Sequence, residues 1–158
     1  RSTGSKATSF CFWEIFSITG RAMTCLKTMP KEVFAMLNEV KDSIFCVRGN
    51  CDADVDQMVL EFPIMATMIL TQGSRLVYAT HGDRYNLESL PPMQPGDILL
   101  HGHTHVPVWQ PFGQDNYYLN PGSTSLPKEN SPHSYLLWEG ATFTWKDLDG
   151  QTFHQLVL

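Results

Sequence analysis

No aspartate precedes Asp42 in this chain and no histidine precedes His81. The first 41 residues hold three carboxylates, Glu14, Glu32 and Glu39, and no imidazole. Chemistry that needs Asp or His must therefore come from the rest of the chain. No Cys-x-x-Cys pair occurs among Cys11, Cys25, Cys46 and Cys51, which argues against a zinc ribbon. Four cysteines in 158 residues are also too few for a disulfide scaffold, so a reduced, cytoplasmic setting is expected. No apolar run approaches the roughly 20 residues that span a membrane. The aromatic run from Phe10 to Ile18 is broken by Glu14 and lacks a clear cleavage site, so secretion is not expected. Positive charge is scarce: 11 Lys and Arg stand against 16 Asp and Glu, a net charge of -5. That balance opposes a stable nucleic-acid partner. It leaves phosphate substrates open, because a bound metal reverses the local field.

What is present fits one globular domain, with 42% hydrophobic and 17% charged residues. Residues 1–29 are unusual, with Ser, Thr and Gly around the aromatic run. A helix is expected from Pro30, with Val33, Met36, Leu37 and Val40 at helical spacing. A short strand, Ile44 to Val47, ends at Gly49-Asn50. A short helix, Val55 to Phe62, stops at Pro63. Two β runs, 64–71 and 75–80, read as a hairpin over Gln72-Gly73-Ser74. One helical turn is expected at Leu87 to Leu90, then a strand over 97–100. Strands at 106–109 and 117–119 and a hairpin over Glu139-Gly140 follow, and 152–158 reads as an edge strand. The pattern is α+β or a β-sandwich with helices on its faces, with β pairing expected to be mostly antiparallel.

Three of the six histidines fall within five residues, His101, His103 and His105, directly after the strand. On extended chain, positions two apart point the same way, so His103 and His105 converge while Thr104 faces away. Neutral imidazoles grouped at a strand end suit divalent metals. Thr80-His81-Gly82-Asp83 and Arg48-Gly49-Asn50-Cys51-Asp52 also sit at strand ends, each with a Gly beside a potential ligand. The Asn50 amide oxygen suits a hard cation. Cys51 is a potential nucleophile but lacks a paired base nearby in sequence, and a buried thiol is the commoner case. Asp52 and Asp54 read as turn carboxylates, with Arg48 a partner for one. His133 and His154 read as exposed, and Trp109, Trp138 and Trp145 as core or sheet-face residues. Asn120-Pro121-Gly122-Ser123 reads foremost as a Pro-Gly turn; Ser123 is also a candidate to donate a hydrogen bond to a phosphate.

Gly49-Asn50-Cys51-Asp52, Thr80-His81-Gly82, Gly102-His103-Thr104-His105 and Asn120-Pro121-Gly122-Ser123, in that order and at those intervals, resemble the later motifs of the calcineurin-like metallophosphoesterases. The resemblance is nearest to the small bacterial YfcE-type phosphodiesterases and runs from Pro30 to the C-terminus. It implies a domain over 30–158, with 1–29 an unmatched segment. It implies a four-layer α/β/β/α sandwich and hydrolysis of small phosphodiesters. It also implies two divalent metals, commonly manganese, bridged by a hydroxide that attacks phosphorus. Carried over by position, Asn50, His81 and His103 would bind one metal and His105 the other. Where much of the superfamily has a histidine near the leaving group, this chain has Cys51, as in the branch it resembles.

The family opens with a strand ending in Asp-x-His and a second ending in Gly-Asp, and neither motif is present here. One metal keeps three neutral ligands without its bridging carboxylate; the other keeps His105 alone. At most one tightly held ion is expected, and weak or absent activity, because neutral groups forgo a large Coulomb term. The start at Arg1 suits a fragment or processed form, incomplete at the N-terminus of the fold. Two alternatives are a non-catalytic metal- or partner-binding module on the same scaffold, open to oligomerisation, and a small zinc-binding β protein using His101, His103 and His105.

Overall fold

Side-chain alternation along strands divides this chain into a buried seam and two outer faces. The structure is a computed structural model that describes residues 30–158 except Ala53. The segment 1–29, with Glu14, Cys11, Cys25 and the aromatic run, lies outside the described residues. Helix α1 spans Pro30–Glu39, and a single 3-10 turn, Lys41–Ser43, follows. Strand β1 (Cys46–Val47), helix α2 (Asp54–Val59) and strand β2 (Ile64–Met65) come next. Then β3 (Thr67–Gln72) and β4 (Arg75–Thr80) form an antiparallel hairpin whose turn uses Gly73 at φ 59°. A positive φ is the conformation such two-residue turns require. Strands β5 (Ile98–His101), β6 (Pro107–Phe112) and β7 (Asn116–Pro121) follow. Last are β8 (Ser134–Glu139), β9 (Thr142–Asp147) and β10 (Thr152–Val157).

Five strands form one sheet in the order β3-β4-β5-β7-β6, three form another in the order β10-β9-β8, and β1 pairs with β2. The centre of the large sheet is parallel: β4 pairs with β5, and β5 with β7, in parallel register. Four of the seven strand pairings among the described residues are antiparallel, as expected, and the centre of the large sheet departs from that. The connection from β4 to β5 is irregular rather than helical, so no helical periodicity announces a parallel crossover. The turn expected at Leu87 to Leu90 is likewise not helical. Asn86 folds it instead, its Oδ1 accepting from the Glu88 and Ser89 amides at 2.8 and 3.0 Å.

The two sheets pack face to face. Val77, Ala79, Ile98, Leu100 and Leu119 of the large sheet meet Leu136, Trp138, Phe143 and Trp145 of the small one. Ile98, Phe143 and Trp145 are fully buried, and burial of a side chain of Phe or Ile size stabilises by about 1.5–3 kcal/mol. On the outer face of the large sheet Tyr78, Leu99 and Tyr118 pack with Leu76, Met93, Val108 and Phe112. Among the described residues this face is covered by the segment around Met93 rather than by a helix. A smaller cluster of Cys46, Leu60 and Phe62 takes in Phe34 and Leu37 of α1. No helix among the described residues is long and apolar enough to cross a membrane.

Candidate metal centre

Three loops leave neighbouring strand ends and meet. After β1, Gly49-Asn50-Cys51-Asp52 turns with the Gly49 amide donating to Asp52 Oδ2 at 2.6 Å, and Arg48 Nη2 pairs with Asp54 Oδ1 at 2.6 Å. That turn presents Asn50. After β4 comes His81, which is buried. After β5 comes Gly102-His103-Thr104-His105. His81 Nε2 lies 2.8 Å from Asn50 Oδ1 and 3.0 Å from His103 Nδ1. The two rings meet edge to face with centroids 4.8 Å apart. Thus Asn50, His81 and His103 converge.

These distances fit a cation site. Metal bonds of about 2.0–2.2 Å, spread between right-angled and tetrahedral, put donor atoms about 2.8–3.6 Å apart. Without a cation the contacts are satisfied when His81 Nε2–H donates to Asn50 Oδ1 and shares its proton with an unprotonated His103 Nδ1. A cation among the same three electron-pair donors would take the place of that proton. The donor set is nevertheless neutral, and among the described residues no three His, Cys, Asp or Glu side chains gather as a metal site. The residues present therefore fit one divalent ion held without carboxylate charge.

The turn that presents His103 is not extended chain. Thr104 N–H donates to the Gly102 carbonyl at 2.7 Å, closing a three-residue turn around His103, whose φ is 63°. This is the rarer, strained form of γ-turn, and such a residue costs on the order of 1–3 kcal/mol. His105 follows at φ 64°. The expectation that His103 and His105 point together along a strand is corrected. His103 faces His81, while His105 Nδ1 donates to the Leu126 carbonyl at 2.8 Å. A carbonyl only accepts, so this bond fixes the proton on Nδ1 and the lone pair on Nε2, the form a ligand needs. The left-handed conformation falls on the histidines, not on Gly102. Beside the histidines, geometry demands glycine at Gly82: φ is 115°, and a Cβ there would stand 2.5 Å from His101 Nδ1 and 3.0 Å from His103 Cβ.

His101 does not join the other two histidines. Its ring stacks on Tyr118 at 4.3 Å, and Nδ1 donates to the Gly102 carbonyl at 3.1 Å. Burial is the main cause that holds its pKa below the ordinary histidine value, with the Gly102 bond opposing and His103 and His81 adding. The reading of His101, His103 and His105 as one zinc site is thereby corrected. Burial, aided by the charge of Asp52, pushes the Cys46 thiol up to about 12, whereas Cys51 is exposed rather than buried. Behind the cluster lies a cavity of about 60 Å³ lined by Val47, His81, His101, Pro121, Ser123 and Ser134 among others. Ser123 Oγ accepts from the Leu126 amide at 3.0 Å, which leaves its own O–H to donate. Asn120, read in the sequence as part of a turn, is fully buried beneath the histidine loop. Its only signal was its place in the Asn-Pro-Gly-Ser motif.

Histidine and asparagine side chains that converge at the ends of strands, over a two-sheet sandwich, suit a metallophosphoesterase type of site. The profile of the calcineurin-like phosphoesterase superfamily domain matches residues 25–142, and the chain belongs to that family. Phosphodiesterase YfcE of Escherichia coli K12 is 45% identical over 108 residues, which cover 67% of this chain and 58% of YfcE. The chain thus spans less than two thirds of that relative. The solved structure of E. coli YfcE, described as a phosphoesterase, superposes with a TM-score of 0.76 at 36% identity, over 81% of this chain and 71% of that one. The probable metallophosphoesterase YsnB of Bacillus subtilis 168 is 26% identical over 121 residues, 70% of this chain and 67% of YsnB.

Proposed function

We propose that this chain is a metal-dependent phosphoesterase of the phosphodiesterase type, acting on small phosphodiesters, whose 158-residue form holds at most one divalent ion and turns over slowly. The observation that carries this reading is the convergence of Asn50, His81 and His103 within 2.8 and 3.0 Å contacts. Manganese is the proposed ion. When bound, a divalent cation supplies Lewis-acid charge and lowers the pKa of water. The protein's own part is to hold Asn50, His81 and His103 convergent and to orient the His105 ring through its Nδ1 bond to the Leu126 carbonyl. Ser123 lies on the cavity wall with an O–H available to a phosphoryl oxygen. Cys51, exposed beside Asn50, is not the proton donor in this reading. Charge balance and the unpaired thiols Cys46 and Cys51 support a cytoplasmic setting without a membrane or stable nucleic-acid partner.

The test is hydrolysis of bis-p-nitrophenyl phosphate with added Mn²⁺, together with metal analysis after dialysis. The 158-residue chain is expected to be slow and to retain no more than one ion. An upstream segment bearing Asp-x-His and Gly-Asp is expected to raise the rate by orders of magnitude. In that extended chain His103→Ala or Asn50→Ala removes activity, and Cys51→Ala costs much less. Fast turnover by the 158-residue chain alone, abolished by His103→Ala, or two retained ions, would overturn the ligand count.

A further inference from the structure

His103 occupies a strained turn, and strained turns persist only where their surroundings over-determine them. The surroundings here centre on one side chain. Asn120 Nδ2 lies 2.9 Å from the Gly102 carbonyl, 2.9 Å from Thr104 Oγ1 and 2.9 Å from Tyr118 Oη. The first two acceptors belong to the residues on either side of His103. Asn120 Oδ1 accepts from the Gly122 amide at 2.9 Å, so the carboxamide cannot rotate without breaking a bond at each end. The Asn120 carbonyl in turn accepts from the buried Trp145 indole N–H at 2.7 Å, which ties the arrangement to the small sheet. The third acceptor, Tyr118, carries the ring on which His101 stacks.

We infer that Asn120 is a positioning residue for His103, clamping the Gly102–Thr104 γ-turn so that His103 Nδ1 is aimed at His81 Nε2. This deepens the proposed metal reading and rests on it for its consequence, though not for its geometry. An alternating strand would send His103 and His105 to one side. The clamp instead rotates His103 inward, next to His81, and leaves His105 to the Leu126 carbonyl. Groups that orient a ligand from behind typically change metal affinity about 10–100-fold when removed. Asn120 touches no reacting atom and acts through His103.

The metal-free test is the nuclear Overhauser effect between the His81 and His103 ring protons, whose centroids are 4.8 Å apart. In the 158-residue chain it is expected to be present. It is expected to vanish in Asn120→Leu, which keeps the bulk and removes every side-chain hydrogen bond. Thr104→Val, at an exposed position, weakens the effect without threatening folding, so the inference stays testable if Asn120→Leu does not fold. Val77→Ala, a core truncation remote from the turn, serves as the control: it lowers the melting temperature yet keeps the two rings together. The second arm titrates Co²⁺ and reads its visible absorption, where Asn120→Leu is expected to weaken binding about 10–100-fold. An unchanged Overhauser effect in Asn120→Leu overturns the inference, as does an effect that vanishes to the same degree in Val77→Ala. Parent protein that shows the Overhauser effect but no Co²⁺ spectrum sinks the metal reading and leaves the positioning role of Asn120 intact.

Discussion

Gly82 shows how a single missing Cβ shapes this centre. The backbone there must pass beside His101 and His103 at a φ of 115°, a conformation L side chains rarely adopt. Gly82→Ala is expected to destabilise the fold by about 1–3 kcal/mol from overpacking alone, with the strained φ adding to it. The His81 and His103 rings should separate in the same variant. Urea unfolding measures the first and ring-proton spectra the second; a variant within about 0.5 kcal/mol of the parent would show that His101 moves aside at little cost. The sequence named Asn50, His81 and His103, which the structure brings together, but not how His103 and His105 are aimed. A Gly beside each candidate ligand suggested turns, which is right at Gly82. At Gly102 the left-handed burden instead falls on His103 and His105, because buried Asn120 imposes the turn from a strand later in the chain. Nothing local to Gly-His-Thr-His reports that.

Among the elements, hairpins were legible and parallel pairings were not. Alternation and a turn glycine specify β3–β4 and β8–β9 within a dozen residues, whereas β4 meets β5 across an irregular connection with no periodicity to read. The edge strand β10 was legible too, but not its use. Its pairing with β9 shifts register between Thr152 and His154, and such a bulge re-aims side chains. Phe153 and His154 both reach Trp109, with His154 stacked on it at 3.8 Å. His154 is therefore no simple surface residue. It joins β10 of the small sheet to β6 of the large one. Burial holds its pKa below the ordinary value, so the folded state favours the neutral ring. Its contribution is whole above the unfolded pKa of about 6.5 and is lost as pH falls below it. The melting temperature should decline below about pH 6.5, with buried His101 acting in the same direction, and His154→Gln should lessen that decline. An unaltered slope in His154→Gln would assign the decline to other groups.

Over the molecule as a whole, the parallel pairings carry a consequence in time. Hairpin partners are neighbours in sequence and form early, whereas parallel partners such as Val77 and Ile98 must first close the connection between them. His81 follows β4 and His103 follows β5, so the proposed metal centre can assemble only when that closure is complete. Refolding from urea should then show two clocks: hairpin signals from far-ultraviolet dichroism first, and capture of Co²⁺, read by its absorption, later. A single shared exponential for both would mean that the sheet closes in one step. On the expected order the centre marks the end of folding, and chains caught before it expose the edges of β4 and β5 while unable to hold a cation.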